Sequence, residues 1–239
     1  MTATRWPRRP QATKAMTATH PMPGYERLLH WVLAIAIVGG PLGYLLGGLL
    51  APAVHHSGRS TIASNAAANS LTNATHLAAF VVASFLLPIG AAGLAHLAYR
   101  RTPWLATIGG LLGMVGWLPF SALTALDALA ATMAHLPDSS SYAALLDRFT
   151  NGAVMNTYLI VYIICHLVAY VLFGIALRRA HVIPRWASWS MIASSPLTVA
   201  AFALPARVAI GVAALALLLI GSLPAAHAMV TWRRPSSPA

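Results

Sequence analysis

Six apolar runs, each long enough to cross a bilayer, decide what this chain can fold into. They cover about 28–50, 76–99, 104–135, 153–177, 186–204 and 206–232. A hydrocarbon layer of about 30 Å takes about 20 helical residues. Inside it every backbone N–H and C=O must be satisfied within the segment, which selects helices. The third run is long enough to tilt or project. The fifth and sixth are divided only by the turn around Pro205. Hydrophobic residues make up 58% of the 239 and charged residues only 8%, against about 25% charged in soluble domains. That balance excludes an ordinary soluble domain, and it is the opposite of a disordered one. The expected fold is all-α, a polytopic membrane bundle of six transmembrane helices over 28–232. Residues 1–27 are expected as a flexible basic cytoplasmic tail, and 233–239 as a cytoplasmic C-terminal tail. The first run is too long for a signal-peptide core and lacks a small-residue cleavage site after it, so it reads as a retained helix. Met16 and Met22 are alternative starts to Met1.

The formal net charge is +11, from 15 Lys+Arg against 4 Asp+Glu. Nucleic-acid binding is not expected, because the chain has little polar surface on which to display that charge. The cations sort by topology instead. With the N-terminus inside, Arg5, Arg8, Arg9, Lys14, Arg27, Arg100, Arg101, Arg178, Arg179, Arg185, Arg233 and Arg234 are cytoplasmic. Only Arg59, Arg148 and Arg207 lie outside. This is the positive-inside bias, and it predicts a multi-pass protein of the bacterial plasma membrane with both termini cytoplasmic. The inner arginine clusters are expected to meet anionic phospholipid.

Small residues recur at spacings of four: Gly39, Gly43 and Gly47 in the first run, Gly109 and Gly113 in the third. Such stripes let helix backbones approach closely in lipid. Packing within one bundle is the preferred reading, and a homo-oligomer seam through Gly39, Gly43 and Gly47 is the alternative. Between the runs, Thr61–Ala74 is expected as a short surface helix. Tyr142, Leu145, Leu146 and Phe149 fall at i, i+3, i+4 and i+7, which predicts a small amphipathic helix over 141–149.

Asp127 is the only acid within an apolar run. It lies eight residues before His135, about 12 Å below the outer end of its helix. An ionised carboxylate at mid-bilayer costs about 2.5–3.5 kcal/mol on insertion scales, and less near the interface. It therefore needs a proton, a partner or water. Its candidate partners are His135, His76, Arg148, Arg59 and Arg207, with His166 in reach from mid-membrane. Tyr158, Tyr162, His166 and Tyr170 follow one another at spacings of four. They form a polar stripe that should face the bundle interior, either to line a cavity or to bond between helices.

Ten histidines raise haem and metal. His76 and His96 share a run but stand about 30 Å apart. The di-haem pattern of cytochrome b561-type proteins is absent, so the cofactor is unknown and haem is not supported by histidine spacing. The adjacent His55-His56 pair is weak as a metal site, and no metal is expected. The chain has no HExxH, no Gly-x-Ser-x-Gly, no P-loop and no pair of intramembrane acids, so no catalytic residue is assigned.

Several segments, in order, carry a family likeness. They are Thr75-His-Leu-Ala, the basic turn Leu94-Ala-His-Leu-Ala-Tyr-Arg-Arg-Thr-Pro-Trp-Leu-Ala106, Gly109-Gly-Leu-Leu-Gly, Ala125-Leu-Asp127, Leu145-Leu-Asp-Arg-Phe149 and Leu177-Arg-Arg-Ala-His-Val-Ile-Pro-Arg-Trp-Ala187. Together they resemble a group of uncharacterised six-span actinobacterial membrane proteins, a domain-of-unknown-function family. The resemblance implies six helices and a bacterial plasma membrane, and no activity. The expected role is binding or passage of a small molecule or ion through an outward-facing polar cavity lined by Asp127, His135, His76, Tyr162 and His166, with Tyr158 and Arg148 beside it. The alternatives are a haem- or quinone-binding redox protein and a structural partner subunit.

Overall fold

A computed structural model describes residues 23–52, 57–137, 139–203 and 207–232. Residues 1–22 of the tail expected over 1–27, the tail expected over 233–239, and the His55-His56 pair lie outside the described residues. Among those described there are eight helices: α1 (Gly24–Leu50), α2 (Gly58–Ala67), α3 (Ser70–Tyr99), α4 (Pro103–Ala134), α5 (Ser139–Thr150), α6 (Ala153–Arg179), α7 (Arg185–Ala203) and α8 (Arg207–Val230). The fold is all-α. α1, α3, α4, α6 and Val208–Val230 of α8 are long and apolar enough to cross a membrane. The expected fifth span, 186–204, coincides with α7. That helix has 19 residues, but Ser188, Ser190, Ser194, Ser195 and Thr198 dilute its apolar content, so among the described residues five helices rather than six are long and apolar enough to cross.

The long helices pack as a closed ring in chain order: α1 on α3, α3 on α4, α4 on α6, α6 on α7, α7 on α8, and α8 back on α1. Short turns at 100–102 and 180–184 reverse the chain at one end of the bundle, so neighbours run antiparallel. The pattern of burial is that of a protein in lipid. Ile35, Leu42, Phe85, Leu118, Ile160 and Ile164 are exposed around the girth, while His76, Ser84, Thr124, His166, Ser188 and Ser222 are buried. An apolar surface of this extent would drive association in water. Trp31, Trp104, Trp186 and Trp189 stand exposed toward the end that carries the two short turns, as amphipathic rings do at a membrane interface.

The glycine stripe of α1 is used within the chain. Gly40, Gly43 and Gly47 are buried, and a Cβ at Gly43 would lie 3.0 Å from the Ala79 carbonyl oxygen of α3. Gly90 of α3 reciprocates, 2.8 Å from Ala36 O by the same construction. A seam with a second copy through Gly39, Gly43 and Gly47 would need α1 to leave α3.

Two boundaries differ from expectation. α1 begins at Gly24, so the last residues assigned to the tail are helical. The surface helix expected over 61–74 is α2, which ends at Ala67. α3 then starts at Ser70, where the Asn69 side chain accepts from Leu71 N and Thr72 N at 3.0 and 3.2 Å. This cap adds six residues to the second expected span and sets His76 about 9 Å inside its helix.

α2 and α5 form a lid on the far end of α4. Ile62, Ala143, Leu146, Ala130 and Met133 make a separate small core. Gly58 N donates to Asp147 Oδ1 at 2.5 Å, so a carboxylate caps the start of α2. The expected apolar face of α5 is corrected by this contact. Ala143 and Leu146 are buried and Tyr142 packs beside them, whereas Leu145 and Phe149 are exposed. Tying Asp147 to α2 turns the 143/146/147 face inward.

Candidate functional site

The sequence-selected polar residues separate into two groups. The first lies near the lid. His76 is buried on α3, and its Nδ1 is 2.7 Å from Gly47 O of α1. A carbonyl oxygen can only accept, so Nδ1 carries the proton and Nε2 is left to exchange one. Nε2 faces Asp127 Oδ2 of α4 at 4.0 Å. The Asp127 side chain is 48% exposed while His76 is 3% exposed. A carboxylate open to the surroundings therefore stands next to an enclosed imidazole, within ion-pair reach when Nε2 takes up a proton. Among the described residues, His76 is the one expected partner brought to Asp127. His135, Arg148 and Arg59 are exposed on the surface, and the Arg207 side chain lies outside the described residues. One turn before His76, Asn73 Nδ2 donates to Asn65 Oδ1 at 3.0 Å, and Asn65 Nδ2 donates to Thr61 O at 3.0 Å. The buried Asn73 Oδ1 has no hydrogen-bond partner.

The second group fills the middle of the ring. The Tyr44 and Tyr162 hydroxyls are 2.5 Å apart. Tyr162 stacks on His166, with centroids 4.5 Å apart, and the His166 Nδ1 bonds to Tyr162 O. Trp117 closes over His166 at 4.7 Å. Gly116 makes this possible, because any Cβ there would strike the main chain at Cys165 and His166. The expected tyrosine stripe divides: Tyr162, His166 and Tyr170 are buried, but Tyr158 faces outward. Helical drift over the spacing of four carries it off the inner face.

Beside His166 is a cavity of about 10 Å³, lined among others by Tyr44, Trp117, Tyr170, Ser194, Ser195 and Thr198. That is room for about one water. Trp117 Nε1 is buried there without a hydrogen-bond partner. Ser195 Oγ donates to Leu167 O at 2.9 Å and ties α7 to α6. A haem or quinone ring does not fit such a space. Among the described residues no group of three or more His, Cys, Asp or Glu is placed to hold a metal ion.

The cavity beside His166 is not lined by Asp127 or His76. Phe80 touches both groups, with its ring 4.5 Å from His76 and 5.7 Å from Tyr44, and Phe120 packs on Phe80 at 5.1 Å. Sequence reasoning missed Tyr44, Trp117, Asn65 and Asn73. Tyr44 carried a signal: it is a phenol next to Gly43 in a stripe otherwise made of small residues. Asn65 and Asn73 carried none, since asparagine is ordinary in an outer loop. No protein-family model, curated protein or solved structure matches the chain.

Proposed function

We propose that the protein is a six-span integral membrane protein of the bacterial plasma membrane, like the group it resembles, and that it binds a proton or a small cation on its outer side at Asp127 and His76. α7 is the fifth of the six spans. Its place between α6 and α8 in a closed ring supports this, because both neighbours are long and apolar enough to cross. The turns that carry Arg100, Arg101, Arg178, Arg179 and Arg185 share one end of the ring, and the positive-inside bias makes that end cytoplasmic. The lid and the Asp127–His76 pair then face outward.

The observation that carries the binding role is the 4.0 Å approach of Asp127 to an imidazole whose other nitrogen is held by Gly47 O. Ionisable groups in such helices are functional by default.

The test uses the full chain in liposomes, with tryptophan fluorescence followed from pH 5 to 8 in sodium and in potassium. The parent responds to pH or to one cation, and Asp127→Asn and His76→Gln flatten that response. A variant profile identical to the parent's refutes the site. Topology is tested with Ala144→Cys and Ser237→Cys in a Cys165→Ser background, using an impermeant maleimide on intact cells. Only Ala144→Cys should label. External labelling of Ser237→Cys refutes six spans.

A further inference from the structure

We propose that the arginine-rich end of the bundle holds a site for a phosphate-type anion, in the cavity between the α3–α4 turn, the α6–α7 turn and the end of α8. The site stands apart from Asp127 and His76, at the opposite end of the ring.

The cavity measures about 250 Å³ and is walled by Arg100, Arg101, His181 and Trp232. Pockets for drug-sized molecules run from about 300 Å³ upward, so this one has the scale of a headgroup or a small phosphate. Arg101 Nη1 donates to Ala180 O at 2.9 Å, which ties the two turns together and leaves most of the guanidinium donors free. Arg100 Cζ lies 5.7 Å over the Trp232 ring. That contact orients the cation without neutralising it. Among the described residues neither arginine has a carboxylate partner. Asp127 and Asp147 are engaged at the other end of the bundle, and Glu26, at this end, accepts from the Tyr25 hydroxyl. Each helix C-terminus contributes about half a negative charge, so the ends of α3, α6 and α8 do not cancel Arg100, Arg101, Arg178 and Arg179.

His181 supplies an independent observation. Its φ is 56°, and it is the one non-glycine residue with positive φ among those described. It closes a Schellman end on α6, with Val182 N donating to Leu177 O at 3.0 Å and His181 N to Arg178 O at 3.0 Å. Glycine is the usual occupant of that position, because a side chain is strained there. Here the strained position carries an imidazole, and His181 is one of the residues that line the cavity. Two guanidinium groups, an imidazole and an interfacial indole together are the donor set for phosphate oxygens.

The experiment uses the full chain in phosphatidylcholine nanodiscs, with two probes. One arm adds phosphatidylglycerol and reads its enrichment around the protein by native mass spectrometry. The other titrates inorganic phosphate and reads tryptophan fluorescence. An anion binds in at least one arm: the lipid arm alone assigns a headgroup, and the phosphate arm alone assigns a soluble phosphate. Arg100→Gln weakens binding by about tenfold, the loss expected for one charge-assisted contact. His181→Gly weakens it while the thermal midpoint holds or rises, which separates the imidazole from its cap. Arg179→Gln, exposed and outside the cavity, leaves binding near the parent's. No anion preference in either arm overturns the proposal. So does an Arg179→Gln loss equal to that of Arg100→Gln, which would mean diffuse surface charge.

Discussion

In the ring order α1, α3, α4, α6, α7, α8, helices α1 and α6 stand opposite each other. The Tyr44–Tyr162 hydroxyl contact therefore crosses the middle of the bundle, at 2.5 Å. Removing either hydroxyl leaves the other buried without its partner, at a cost of about 1–3 kcal/mol. Removing both leaves two phenylalanine rings with the aromatic packing intact and no orphaned donor. The double variant should thus be more stable than the sum of the singles implies. Hydrogen bonds between helices in lipid average about 0.6 kcal/mol and reach about 1.7, so the coupling should fall in that range, roughly threefold to twentyfold in the folding equilibrium. Tyr44→Phe, Tyr162→Phe and the double variant would be unfolded reversibly in detergent with denaturant, followed by tryptophan fluorescence. Trp117 lies 5.4 Å from Tyr44 and 5.6 Å from Tyr162. Tyr158→Phe, on the outward face, is the control and should move stability by less than about 0.5 kcal/mol. Additivity within about 0.3 kcal/mol would refute the cross-brace.

Two further substitutions test close approaches. Gly116→Ala places a methyl against the α6 main chain at Cys165 and His166. Overpacking of this kind costs about 1–3 kcal/mol, enough to outweigh the helix propensity gained over glycine, so the thermal midpoint in detergent should fall; a rise would contradict the observed α4–α6 spacing. Gly58→Ala drives a Cβ toward Ala143 O and should loosen the lid without touching the ring. Hydrogen exchange should quicken in 58–67 and 139–150 and stay unchanged in α1 and α6, and uniform quickening would mean that the lid and the ring are one cooperative unit.

The long helices were legible because run length against bilayer thickness is a one-dimensional signal. α7 is where that signal thins: its serines bond to neighbouring backbone, as Ser188 does to Gly174 O and Ser195 to Leu167 O, so a less apolar helix packs where a fully apolar one was expected. Depth was also legible, and it put His76 on the same side as Asp127. The choice among the expected partners was not, because it depends on how α3 and α4 are rotated about their axes. The face of α5 was misjudged for the same reason: periodicity defines a stripe, and the tertiary contact of Asp147 with Gly58 decides which stripe is buried. Tyr44 and Trp117 became part of the interior only through the approaches that Gly43 and Gly116 permit.

The tryptophans at the arginine-rich end also work as a ruler. Trp104 opens α4, and Asp127 stands twenty-three residues beyond it, a climb of about 35 Å. Tyr99 closes α3, and His76 stands twenty-three residues above it, at the same height. The hydrocarbon layer is about 30 Å deep. If the aromatic rings rest at the lower waterline, the acid and its histidine emerge just past the upper one, among headgroups and water. The last two turns of α4 then stand clear of lipid as a mast, with α2 and α5 wrapped around it. A thicker bilayer would raise the waterline over the pair and a thinner one would strand it higher, so the chemistry of this site is tied to the thickness of the membrane around it.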